Sequence, residues 1–170
     1  TPDGKRLLLT AEVWPECGAD AACNRRKDEA MEKGKMRAYV ADRLLFRHWD
    51  SWEDGKRTHV LLMDLAGPEA PLRDLTPGDF DSPAFSVGGG ADYDVSPDGK
   101  DLVFTSNRDA QGARSTNSDL FLVSLDAAPE ALAAPRNLTA GNPAFDGSPR
   151  FSPDGRTIAF RRQRVPGYES

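Results

Sequence analysis

Arg47-His48-Trp49-Asp50-Ser51-Trp52 crowds a guanidinium, an imidazole, a carboxylate and two indoles into consecutive positions. Such a set is suited to binding. The Arg47 guanidinium can fork onto a carboxylate, an indole can take an apolar group or a cation, and Asp50 can take an amine. The same residues can instead hold structure, as a buried tryptophan pair with an Arg–Asp contact fastening one segment onto its neighbour, and this is the role expected of them. The run Asp42 to Trp52 reads as one strand, so its side chains should alternate. Arg47, Trp49 and Ser51 would then share one side, and His48, Asp50 and Trp52 the other. Replacing Trp49 with Ala should accordingly lower stability more than it alters binding.

The two cysteines, Cys17 and Cys23, stand six positions apart in a Gly/Ala-rich stretch. As a disulfide they would close a loop worth about 2 kcal/mol and imply an oxidising compartment; as free thiols they would imply a reducing one. The disulfide is the reading adopted. A zinc site is not expected, because the only histidines, His48 and His59, lack ligand spacing. No cofactor is expected either. Gly-x-Ser-x-Gly occurs nowhere, so the chain carries no nucleophile elbow and no catalytic residue. Asn137-Leu138-Thr139 fits a glycosylation sequon but parallels Asp74-Leu75-Thr76, which marks it as a repeat element. Arg161, Arg162 and Arg164 read as a solvated loop or a domain contact.

These residues are positioned by a repeat. Ser96-Pro97-Asp98-Gly99 and Ser152-Pro153-Asp154-Gly155 are each followed by a short apolar run, and Thr1-Pro2-Asp3-Gly4 opens a third copy. Pro presets the first central position of a turn, Asp suits the second, and Gly takes the left-handed position that closes a hairpin. Each copy is therefore a turn followed by a strand. Arg73-Asp74-Leu75-Thr76 and Arg136-Asn137-Leu138-Thr139 form a later pair of matching strands. Thr58 to Leu65 is read as a strand returning from a turn at Glu53-Asp54-Gly55-Lys56, and Asp119 to Leu125 as its counterpart. Asp20 to Lys33 is rich in helix formers, carries Glu29 and Lys33 at i,i+4, and stops at Gly34.

Four short antiparallel strands per unit make a β-propeller blade. The fold class is thus all-β, an incomplete ring with one short helical insertion. Residues 1–80 form one blade with the insertion at about 15–41, residues 81–141 a second, and residues 142–170 half of a third. A closed ring needs about 4–8 blades, so further chain is expected, including some upstream of a sequence that opens on a turn. Charge argues against nucleic acid as a partner: 22 basic residues face 27 acidic ones, with no basic stripe. No run approaches the roughly 18 apolar residues of a membrane span.

The Ser-Pro-Asp-Gly unit resembles the propeller repeat of periplasmic Tol-type propellers and of serine peptidases of the prolyl oligopeptidase family. Arg47 to His59, with its Arg-His-Trp-Asp run and Asp-Gly turn, is similar to an early blade of the dipeptidyl-peptidase and acylaminoacyl-peptidase branch. The Cys-containing helical insertion before it resembles that of secreted bacterial members. This resemblance implies a propeller capping an α/β-hydrolase domain that carries a Ser-Asp-His triad outside this chain. The full protein would be a periplasmic or secreted serine exopeptidase, releasing dipeptides or acylated residues from the N-terminus of short peptides. The propeller would gate access, and a homodimer is compatible with the family. Glu12 and Glu16 do not reproduce the adjacent glutamate pair with which some dipeptidyl peptidases bind the substrate amine, so that role is not carried over. The competing class is a non-catalytic Tol-type propeller that binds a protein or an envelope component.

Overall fold

A computed structural model describes residues 1–35, 38, 40–41, 44, 46–48, 51–52, 54–67, 70–84 and 92–167. Its elements, in order, are β1 (Arg6–Val13), α1 (Ala21–Glu32), β2 (Arg47–His48), β3 (Ser51–Trp52), β4 (Arg57–Asp64), β5 (Arg73–Asp74), β6 (Tyr93–Val95), β7 (Asp101–Ser106), β8 (Asp119–Ser124), α2 (Pro129–Ala133), β9 (Arg136–Asn137), β10 (Asp146–Phe151) and β11 (Ile158–Arg162). The fold is all-β. The second unit is an antiparallel four-stranded sheet in the order β6-β7-β8-β9, the first a three-stranded sheet β1-β4-β5, and the third the pair β10-β11.

The three turns are near-identical. Gly4, Gly99 and Gly155 sit at φ of 69°, 71° and 70°, and their amides donate to the carbonyls of Thr1, Ser96 and Ser152 at 3.0, 2.8 and 2.8 Å. The Ser96 and Ser152 hydroxyls donate to Asp98 and Asp154 at 2.6 Å. Those bonds, with backbone amides behind them, hold the carboxyls of Asp98 and Asp154 below the usual range, and Asp3 is lowered in the same way by Thr1. The corners also abut in chain order. A Cβ on Gly99 would lie 3.7 Å from Pro2, and one on Gly155 3.5 Å from Pro97.

Period-2 patterning explains the core. Val60 and Leu62 of β4, Leu102 and Phe104 of β7, and Phe121 and Val123 of β8 face one another between the first two sheets, with Leu75 and Leu125 completing the cluster. Arg73 ties the sheets together, donating to the carbonyls of Leu125 and Ala127 at 2.9 and 3.0 Å. On the other face of the second sheet, Asp94 accepts from the Phe151 amide at 2.8 Å and Asp92 from the Ser148 amide at 3.0 Å. Successive units are therefore joined through backbone groups as well as apolar contact.

Two expectations need correction. Strand β4 does not return from Glu53–Lys56 to pair with Asp42–Trp52. It pairs with β1 along eight positions, from Arg6 opposite Asp64 to Val13 opposite Arg57. Nor is Asp42–Trp52 a single strand: β2 and β3 form a small hairpin of their own, with Arg47 opposite Trp52 and His48 opposite Ser51. With β1 already filling one edge of β4 and β5 the other, the segment has no edge of β4 left to join. The alternation expected along it is lost, and Arg47 and Trp52 become cross-strand neighbours.

Candidate functional site

Of the connection between β1 and β4, the part from Trp14 through α1 lies over the face of the first sheet that points away from the second. Helix α1 is built as its sequence directs. Asp20 caps it, accepting from the Cys23 amide at 2.9 Å, and Lys33 closes it with an i,i+4 ion pair to Glu29 at 2.8 Å. None of its residues is buried. A helix this short and this exposed is marginal by itself, so it must be fastened from outside.

Four contacts do this. Cys17 and Cys23 are disulfide-bonded. Asn24 accepts from the Trp14 amide at 2.8 Å and donates to the carbonyls of Gly18 and Asp20 at 2.9 Å. The Trp14 indole, 9% exposed, donates to Asp28 at 3.0 Å and lies under the Lys27 ammonium at 4.4 Å. Lys56 pairs with the same carboxylate at 2.9 Å. The Lys56 bond and then the Trp14 bond hold the Asp28 carboxyl below its ordinary value, and Asp28 in turn raises Lys56. Gly55, at φ 93°, lets the chain return against the ring, since a Cβ there would come within 3.0 Å of Trp14.

Trp14 is thus the tryptophan that anchors the insertion among the described residues, a role expected of the Arg47–Trp52 run. Trp52 is 48% exposed, packs its ring 6.2 Å from the half-exposed Phe46, and has an exposed Arg47 opposite it. Leu44 and Val40 are also exposed, at 66% and 78%. The hairpin therefore offers rings and a guanidinium outward. Trp49, Asp50 and the side chain of His48 lie outside the described residues. Between α1 and β1 runs an open groove of about 440 Å³, with Glu12, Asp28, Glu29 and Glu32 among its lining and Leu61 and Leu72 on its floor. Arg25 lines it as well, and Asp28 and Glu29 are already paired with Lys56 and Lys33. Glu16 is paired with Lys27 instead.

Sequence reasoning missed the most buried polar pair on this face. His59 is fully buried, and its ring nitrogens lie 2.7 Å from Asp74 Oδ2 and 2.9 Å from the Gly78 carbonyl. The signal available was the repeat itself, which aligns His59 with Asp119 and Asp74 with Asn137. The sequon at Asn137 is structural. Its amide donates to Asp119 at 2.8 Å and accepts from the Thr139 amide at 2.9 Å, as Asp74 accepts from Thr76. Arg162 of the basic cluster approaches Asp146 at 3.6 Å. Among the described residues, no group of three or more His, Cys, Asp and Glu could hold a metal ion, and no helix is long and apolar enough to cross a membrane.

No family model matches the chain. Proteins named dipeptidyl-peptidase 5 are similar to it from end to end. The Porphyromonas endodontalis protein is 30% identical over 99% of the chain, that of Porphyromonas gingivalis 28% over all of it, and that of Aspergillus oryzae 30% over 97%. The chain spans only about a quarter of each relative, 23%, 24% and 24% respectively. The resemblance to the dipeptidyl-peptidase branch is borne out by these relatives.

Proposed function

We propose, from this end-to-end homology with a quarter-length stretch of dipeptidyl-peptidase 5, that the chain is the early propeller segment of an exported serine exopeptidase. It comprises one blade at residues 1–80, a second at 81–141 and half of a third at 142–170. The hydrolase domain, with its Ser-Asp-His triad, lies elsewhere in the polypeptide: the chain matches only 23% of its Porphyromonas endodontalis relative, and Gly-x-Ser-x-Gly occurs nowhere in the sequence. The reaction is release of dipeptides from the N-terminus of short peptides. The disulfide supports an extracellular or periplasmic location.

The propeller's part is to gate and recognise. The Arg47–Trp52 hairpin, with His48, Trp49 and Asp50, contacts the peptide, and the open groove beside α1 receives part of its chain. The single observation behind this reading is that the homology includes the insertion as well as the repeats, so it is more than a shared propeller pattern. The test is labelling of the full-length protein with a fluorophosphonate probe, together with turnover of fluorogenic dipeptidyl substrates. Labelling that is lost on changing one serine, with dipeptide release, is expected. A full-length protein that never labels and releases nothing overturns the reading in favour of a binding propeller.

A further inference from the structure

We infer that His59 and Asp74 are positioning residues, a buried pair that sets the seat of the insertion and hence the shape of the groove that Gly18 and Asn24 line. That this groove meets the peptide rests on the function proposed above.

Both ring nitrogens of His59 face acceptors: Asp74 Oδ2 at 2.7 Å and the Gly78 carbonyl at 2.9 Å. A ring N–H aimed at a carboxylate oxygen makes a charge-assisted hydrogen bond, so the contact with Asp74 is a strong one. The other oxygen, Asp74 Oδ1, accepts from the Thr76 amide at 2.9 Å. Both carboxylate oxygens are therefore fixed, and the side chain is only 11% exposed. Directly on this carboxylate rests Gly18, at φ 49°, where a Cβ would stand 2.9 Å from Oδ2. The Gly18 carbonyl is gripped by Asn24 of α1 at 2.9 Å, and the neighbouring Cys17 is bonded to Cys23. A displaced Asp74 oxygen would thus push on a loop tied twice to the helix.

The second unit shows what the same corner needs without an insertion on it. There Asn137 donates to Asp119 at 2.8 Å and Thr139 donates to the same carboxylate at 2.9 Å, with no imidazole. The backbone bonds around the corner are the same in both. The Thr76 and Thr139 hydroxyls accept from the amides of Val60 and Leu120 at 2.9 and 3.0 Å. What sets the first unit apart is a longer, doubly anchored pair, and it lies directly beneath the insertion.

The test uses the full-length protein, with hydrogen exchange of amides 17–24 and steady-state kinetics on a dipeptidyl substrate. Asp74→Asn should speed exchange of those amides about tenfold and raise KM severalfold while kcat stays near wild type. The double variant His59→Asp/Asp74→Asn rebuilds the Asp119–Asn137 pairing, and it should restore both readouts. Asp74→Asn that lowers the melting temperature but leaves insertion exchange unchanged overturns the inference. So does a folded double variant whose insertion exchanges fast. Should the single variant not fold, the double variant decides alone, upholding the seat if its insertion exchanges normally. A wild-type protein without dipeptidyl turnover refutes the peptidase reading and leaves the exchange measurement standing.

Discussion

Trp14→Ala should release the insertion while leaving the sheets folded, and it should do so more strongly than reduction of the disulfide. Truncating a buried tryptophan costs about 3–5 kcal/mol. The cost falls on the insertion, since β1 and β4 remain paired along eight positions whether or not the ring is present. The Cys17–Cys23 loop is short, and the chain-entropy relation gives it about 2 kcal/mol. The aromatic anchor therefore outweighs the covalent one. Limited trypsin digestion reads the difference, because Arg25, Arg26 and Lys27 all lie in α1. When opening is fast relative to cleavage, the cut rate follows the open population. At 1.4 kcal/mol per tenfold, Trp14→Ala should be cut roughly 100- to 5,000-fold faster in α1, and the reduced wild type roughly thirtyfold faster. Circular dichroism should keep its β signal in both. Reduced wild type that is cut faster than oxidised Trp14→Ala would refute the reasoning and make the disulfide the principal fastening.

Two other expectations concern the repeat. Thr76→Val strands the buried Val60 amide at a cost of about 1–3 kcal/mol, and Thr139→Val should cost more because its hydroxyl also donates to Asp119. Calorimetry should show melting fall roughly 2–4 °C per kcal/mol, and an equal or smaller effect at Thr139 counts against the assignment. The turn carboxyls of Asp3, Asp98 and Asp154 are lowered in the fold, so they stabilise it above the ordinary carboxylate range and lose that contribution as pH falls through their lowered values. Urea midpoints measured from pH 5 downward should therefore decline less steeply in the Asp98→Asn variant than in wild type, and parallel curves would show that the turn contributes nothing to acid sensitivity.

Much of this was legible because it is local. Pro-Asp-Gly specifies its turn within four residues, and Asp20 and Lys33 bracket α1 by capping chemistry that does not depend on the rest of the fold. The matching Arg-x-Leu-Thr strands were readable for the same reason. Asp42–Trp52 failed because aromatic and apolar density signals a strand without saying which edge is free. The edge it needed was held by β1, forty residues upstream on the far side of the insertion. The tryptophan anchor was sought in the segment with most indoles, whereas burial chose Trp14, which stands where the chain leaves the sheet. His59 was invisible to pattern reading. On β4 it stands between Thr58 and Val60 like any outward residue, and nothing in the local pattern says that it is buried.

The departures from the repeat carry more information about function than the repeat does. Both units build the same corner from a threonine hydroxyl, an Asx side chain and a backbone amide, so that corner serves the sheet. Among the described residues, the connection 14–56, where the second unit uses 107–118, adds no strand to the sheet β1-β4-β5. Its β2 and β3 pair with each other, and Phe46 and Trp52 are exposed. Exposed aromatic pairs on a segment fastened by a disulfide, a buried indole and two carboxylate contacts are costly to a fold that needs none of them. The proposed function supplies a guest to meet them, and a rigid mount would let that guest be met at low entropic cost.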